Sequence, residues 1–227
     1  MCPDIPVGGG GGFREVNSEG VIKFCIEHQN QPACTEADIG ELEHWRTELR
    51  QRRLIGQDPL KYEGLGYGNL SKRMSDGTVL MSGSQTGHLE KLTQAEYARV
   101  IEFRVAQNWI RSRGLVHPSS ETMTHLAIYG SAPEIGFVFH AHCAEIWEAG
   151  NDLNIPRTDP LAECGTLAMF HAAQKLLTNY DVRHGGIFAI GGHTDGIIVW
   201  GKTADEAGEI LLAVLSATAN HADQVIA

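Results

Sequence analysis

The residues best suited to chemistry are two histidines one residue apart, His140-Ala141-His142, which close an apolar run of Phe137, Val138 and Phe139. The run follows a Pro133-Glu134-Ile135-Gly136 turn and predicts a buried strand. Side chains alternate across a strand, so both imidazoles project from one face. Two neutral imidazoles side by side can grip one metal ion. Zinc takes such nitrogens at about 2.0–2.1 Å, and a catalytic zinc commonly keeps three protein ligands and one open position. The pair therefore asks the chain for a third ligand, a base and a cradle for substrate.

Candidates for each lie elsewhere. His193 stands at a predicted strand end behind Gly191 and Gly192, where nothing blocks its approach to a shared ion. Pro118-Ser119-Ser120-Glu121 leads into a predicted helix over residues 122–129. Two serine hydroxyls beside unpaired helix amides suit an anion, although capping alone explains one of them. A carboxylate in the first turn, here Glu121, is favoured by the helix dipole whether or not it acts as a base. His125 follows it by four residues on the same face and reads as a packed residue. Gly66-Tyr67-Gly68-Asn69 lets the backbone approach a ligand closely and offers the Asn69 amide to it; a plain tight turn would look the same. Ser82-Gly83-Ser84-Gln85-Thr86-Gly87 is a polar loop of small donors that could hold a phosphate or carboxylate, or simply connect two elements.

These residues need elements to position them. Thr35-Glu36-Ala37-Asp38 reads as a capped helix start, followed by Ile39, Leu42, Trp45 and Leu49 at helical spacing. Asp76-Gly77 turns a hairpin. Leu92-Thr93-Gln94 predicts a helix reaching Trp109 or Arg113, with Gly114 as its stop. A short helix over 144–149, an amphipathic helix over 167–177, strands over 187–190 and 197–200, and a terminal helix over 205–220 complete the pattern. Residues 21–26 could add an edge strand, and residues 1–20, with glycines at 8–12, read as a flexible tail before one domain over 21–227. Helices mixed with strands imply a layered α/β fold.

Composition limits the function. The 227 residues are 42% hydrophobic and 20% charged, enough for one sizeable core. A formal net charge of −10 and the lack of a Lys/Arg run argue against nucleic acid. The densest basic spot, Arg50 to Arg53, falls on a predicted helix and reads as a solvated face. No apolar stretch approaches the ~20 residues of a membrane span. Five cysteines without a CxxC pair, and no leader ahead of them, fit free thiols in the cytoplasm.

In order along the chain, Gly-Asn-Leu-Ser at 68–71, Ser-Gln-Thr-Gly at 84–87, Pro-Ser-Ser-Glu at 118–121, His-x-His at 140–142 and Gly-His at 192–193 resemble the class II aldolase/adducin family, in its fuculose-phosphate aldolase-like branch. The resemblance implies a three-layer α/β/α sandwich with a central, mostly antiparallel sheet, and a homotetramer. It implies that His140, His142 and His193 hold zinc or another divalent metal, that Glu121 is the acid/base residue, and that Asn69, Thr86, Gly87, Ser119 and Ser120 cradle a phosphate. It further implies an aldolase that cleaves a small ketose phosphate through a metal-stabilised enediolate. Residues 143–164 contain no tyrosine, where family aldolases carry one as acid, so that proton donor must come from elsewhere. Val199-Trp200-Gly201 resembles the ending of the family's methylthioribulose-phosphate dehydratases. A dehydratase or 4-epimerase on the same metal is thus the sibling expectation, and an adducin-like assembly module is the non-catalytic one.

Overall fold

The computed structural model describes residues 20–226, so the tail expected over 1–20 lies outside the described residues except for Gly20. The first half of the chain forms strand β1 (Cys25–Asn30), helix α1 (Glu36–Gln51), and strands β2 (Gly56–Gln57), β3 (Gly66–Tyr67), β4 (Asn69–Arg73), β5 (Val79–Ser82), β6 (Tyr97–Arg104) and β7 (Trp109–Gly114). The second half forms α2 (Thr122–Tyr129), β8 (Phe137–His142), α3 (Ala144–Glu148), α4 (Leu167–Leu177), β9 (Gly186–Ala189), β10 (Gly196–Gly201) and α5 (Ala204–Ile226).

Eight strands make one sheet in the order β1-β7-β6-β5-β4-β8-β10-β9, and β2 pairs with β3 beside it. Among the paired strands of the described residues, only β1 and β7 run parallel. One apolar cluster joins a sheet face to α2 and α4, and another joins the opposite face to α1, α3 and α5. The fold is the expected three-layer α/β/α sandwich around a mostly antiparallel sheet. Residues 25–30 provide the edge strand, a little later in the chain than 21–26.

Local chemistry explains the elements that carry the site. The Asp38 carboxylate accepts from the Thr35 amide and hydroxyl, both at 2.8 Å, and so starts α1. Every residue of α2 is buried, which fits a helix inserted between the sheet and α4. Cys34, Cys143 and Cys164 form no disulfide. Cys25 is disulfide-bonded and departs from the all-thiol expectation.

The helix expected from Leu92 onward is not formed. Thr93 and Glu96 do make a capping box, but it supports only a single 3₁₀ turn over Gln94–Glu96. From Tyr97 the chain becomes the β6–β7 hairpin, reversed at left-handed Asn108. Burial in β7 alternates residue by residue, with Ile110, Ser112 and Gly114 inward. The β-branched and aromatic Val100, Ile101, Phe103 and Ile110 suit that pleat, and sheet pairing outweighs the local helix signal.

Helix α5 is fastened to α1 where Gly208 lies against the Trp45 indole, whose Nε1–H donates to Asp205 at 2.8 Å. A Cβ on residue 208 would come within 2.1 Å of that ring. Helix propensity alone favours Gly208→Ala by about 1 kcal/mol, whereas overpacking costs roughly 1–3 kcal/mol. We expect Gly208→Ala to lower stability by ~1 kcal/mol in denaturant unfolding. A higher midpoint in the variant would mean that α1 and α5 separate freely.

Candidate active site

Strand β8 is buried along its whole length. Phe137, Phe139 and Ala141 join the α1/α3/α5 side, so the alternation sends His140 and His142, with Val138, to the α2/α4 side. The neighbouring strands shape their surroundings. In β10, Ile198 stands opposite His140 and Gly196 opposite His142; in β4, Asn69 stands opposite His140. The β9–β10 turn passes through Asp195 in the left-handed region, φ 65°. That turn returns His193 to β8, with its ring 2.6 Å from where a Cβ on Gly196 would sit.

The three imidazoles converge. His193 Nε2 and His142 Nε2 are 3.0 Å apart, and one nitrogen from each of the three rings lies within 4.8 Å of the others. An ion at about 2.0–2.1 Å from each needs nitrogens roughly 3–3.5 Å apart. The closest pair meets that spacing, and small ring rotations bring in the third. Burial holds the His140 and His142 pKa values well below the usual range, and the neighbouring imidazoles push them the same way. Neutral imidazole is the form that ligates.

The Asn69–His140 pair tests whether the set fits a cation. As placed, its Nδ2 faces His140 Nδ1 at 3.3 Å, while Asn69 Oδ1 and His140 Nε2 lack hydrogen-bond partners among the described residues. Exchanging the amide oxygen and nitrogen by a half-turn of the side-chain amide lets Nδ1–H donate to Oδ1. His140 Nε2 then keeps its lone pair for an ion, as a ligating histidine requires.

Glu121 sits at the N-terminal cap of α2, buried. Its Oε2 accepts from the Thr124 hydroxyl at 3.0 Å and its Oε1 from the Cys164 thiol at 2.8 Å. His125 packs on β4: its Nδ1 is 2.7 Å from Ser71 Oγ, which also meets Tyr129 Oη at 2.9 Å. Burial lowers the His125 pKa to about 3, so this ring too is neutral.

All five residues expected to cradle an anion line one narrow cavity: Asn69, Thr86, Gly87, Ser119 and Ser120. Its free volume is about 20 Å³, room for a water-sized group, with Gly20 and Gln85 also on its wall. The Thr86 hydroxyl donates to the Gly83 carbonyl at 2.9 Å, and Ser119 Oγ accepts from the Glu121 amide at 3.2 Å. Residue 87 must be glycine, since a Cβ there would lie 2.2 Å from the Gly56 carbonyl. Asn69 belongs both to this cavity and to the His140 contact, so the two parts adjoin.

Residues 59–219, well over half the chain, match the Class II Aldolase and Adducin N-terminal domain. The chain belongs to the class II aldolase/adducin family. It is 34% identical over 77 residues to a methylthioribulose-1-phosphate dehydratase of Gluconacetobacter diazotrophicus, a stretch that covers 33% of this chain and 34% of that enzyme. The chain thus spans about a third of the length of the curated relative it matches. Its fold is similar to that of l-fuculose-1-phosphate aldolase from Thermus thermophilus, with a TM-score of 0.60, 15% identity, and coverage of 82% of this chain and 93% of that one. It is also similar to a sugar-phosphate aldolase from Thermotoga maritima, with a TM-score of 0.58, 14% identity, and coverage of 80% and 92%.

Four residues beside the histidine cluster and its cavity were not predicted as site residues from the sequence. Tyr62 lies in the β2–β3 loop with φ 49°, its ring edge-on to His142 at 4.4 Å between centroids and its hydroxyl donating to Asp195 Oδ2 at 2.9 Å. A second tyrosine nearby, in Tyr62-Glu63-Gly64-Leu65-Gly66-Tyr67, was the only available signal. Cys164 meets Glu121 across 43 positions of sequence. Arg46 and Arg50 on α1 hold the cradle loop. Buried Arg46 donates to the carbonyls of Leu89 at 2.6 Å, Glu90 at 3.0 Å and Thr86 at 3.3 Å. Arg50 donates to those of Gly87 and His88. The solvated-face expectation therefore fails at Arg50, because the loop folds back over the helix, while Arg52 makes an ordinary i,i+4 surface pair with Glu48.

If Asn69 fixes the His140 tautomer, Asn69→Leu should weaken zinc binding about 10–100-fold while the fold persists. Competition with a chromophoric chelator measures this. An unchanged affinity would show that Asn69 does not support the metal ligand.

Proposed function

We propose that this chain is a divalent-metal enzyme, with zinc the first candidate, that breaks a carbon–carbon bond in a small ketose phosphate. The observation that carries this reading is the meeting of three buried histidines, a buried carboxylate and a small-residue cavity around Asn69. His140, His142 and His193 would hold the ion, and a bound divalent ion supplies Lewis-acid stabilisation of negative charge on substrate oxygens.

The chain's own residues do the rest. Glu121 moves a proton to or from the substrate carbon or oxygen, its carboxylate held in one orientation by Thr124 and Cys164. Thr86, Gly87, Ser119 and Ser120 line the place for the phosphate, which has to widen from its water-sized volume to admit one, and the Arg46 and Arg50 guanidiniums beneath the loop favour an anion there. The Tyr62 hydroxyl, held by Asp195 beside His142, would give a proton to the carbon freed by the cleavage or, in the dehydratase reading, to the departing hydroxyl. It fills the role for which residues 143–164 offer no tyrosine. A homotetramer and a cytoplasmic location belong to the same proposal and rest on family membership. No described helix is long and apolar enough to cross a membrane.

The partial similarity to a dehydratase favours a second reading, in which the same metal and base remove water from a sugar phosphate. The products separate the readings. An aldolase releases a three-carbon carbonyl compound, a dehydratase a diketone, and a 4-epimerase an isomer of equal mass.

Metal analysis comes first: about one divalent ion per chain should be found, and lost in His193→Ala. A protein that stays empty when supplied with zinc would leave only the adducin-like assembly role. With a metal-loaded protein and a sugar-phosphate screen in hand, Glu121→Gln should keep its metal and lose about 10²–10⁴-fold in turnover. Normal turnover would remove Glu121 from the chemistry. Tyr62→Phe should lower kcat roughly tenfold or more, with KM and metal content nearly unchanged. A variant with unaltered kcat would reduce Tyr62 to a packing role.

A further inference from the structure

The Glu121 carboxylate is held from two directions. Thr124, one turn along the same helix, serves Oε2. Cys164 serves Oε1 from the loop that precedes α4. This buried thiol exchanges no proton with substrate in the chemistry above, yet it touches the proposed base directly.

The loop carrying it is itself fixed from outside. Lys23 Nζ donates to the Cys164 carbonyl at 3.1 Å and to Glu163 Oε1 at 2.6 Å. The Lys23 carbonyl accepts from Asn108 Nδ2 at 2.8 Å, and the neighbouring Cys25 amide donates to the Asn108 carbonyl at 2.8 Å. Lys23 is thereby tied to the end of the sheet where β1 runs parallel to β7. On the other side, Glu163 bridges to Gly192 beside His193. Gly165 takes φ +72°, and a Cβ there would lie 2.8 Å from the Ser120 carbonyl. The loop backbone is thus pressed against the turn that carries Glu121. An exposed Lys–Glu pair alone would contribute little; the bond to the Cys164 carbonyl is what transmits position.

We infer that Cys164 and Lys23 are positioning residues for Glu121: the thiol orients the carboxylate, and Lys23 holds the thiol's loop from a segment that precedes the family-matched stretch. The inference rests on the reading of Glu121 as the base. A thiol is a weak donor. It can fix the orientation of the carboxylate while lowering its basicity less than a hydroxyl in the same place. Loss of the donor should raise the Glu121 pKa, because a hydrogen bond to the charged form favours that form.

Two measurements on the full-length protein test it. The first is the S–H stretching region of the infrared spectrum, which needs no turnover. Subtracting the Cys164→Ala spectrum should isolate a thiol band displaced to lower frequency. Glu121→Gln should move that band, and Lys23→Met should broaden it or shift it back. A Cys164 band at the position of an unbonded thiol, unmoved in Glu121→Gln, would overturn the inference whatever the protein catalyses.

The second is the pH profile of kcat/KM in the metal-loaded enzyme. Cys164→Ala should move the acid limb upward by about half to one pH unit. Cys164→Ser, a stronger donor, should restore it or carry it lower. A displaced band with an unmoved acid limb would overturn the positioning role and leave Glu121 as the base. A fully active Glu121→Gln variant would instead remove the base reading, and the positioning role with it, without touching the infrared result.

Discussion

Three imidazoles can share a few ångströms of space only if they do not all carry charge. Two imidazolium ions at that spacing repel by about 3–4 kcal/mol at the effective dielectric of a protein. Burial removes the problem for His140 and His142 by pushing both pKa values down, since desolvation opposes the charged form. The same burial leaves their lone pairs in a place poor in water. Sheet order produces this environment: β8 lies between β4 and β10, covered by helices on both faces. The packing that stabilises the sandwich therefore also prepares the histidines for a cation.

The cradle works under a different constraint. Its loop has to pass within contact distance of Gly56 and Gly66, which excludes a side chain at residue 87. Such a loop has little packing of its own, and its order comes from the Arg46 and Arg50 guanidiniums donating to its carbonyls. These bonds also place two positive charges beneath a cavity built of small polar residues. The chain as a whole carries a formal net charge of −10, so a long-range pull on anions is not available. An anionic substrate would be favoured only at close range, where these two arginines act.

Legibility in the sequence depends on the range of the interactions involved. His140 and His142 share a face because of the two-residue period of a strand, and the Thr35 helix start rests on contacts within three positions. Those signals are local, and the elements stand where expected. The stretch from Leu92 to Gly114 misleads because its capping box is real but short, and sheet partners decide the conformation from Tyr97 onward. Tyr62, Cys164 and Lys23 were invisible for a related reason. Their contacts with Asp195, Glu121 and Cys164 span 133, 43 and 141 positions, and no periodicity encodes them. The topology of the sheet brings them together.

This range effect bears on how the family's chemistry could vary in this chain. The matched stretch begins at residue 59 and contains the three histidines, Glu121 and all five cradle residues. Several of the groups that support them lie before it. Arg46 and Arg50 fasten the cradle loop, Gly20 forms part of the cavity wall, and Lys23 pins the loop that bears Cys164. In this chain the residues proposed to react therefore sit in a frame supplied partly from outside the matched stretch. The frame decides how much room the cavity has and how basic the carboxylate is.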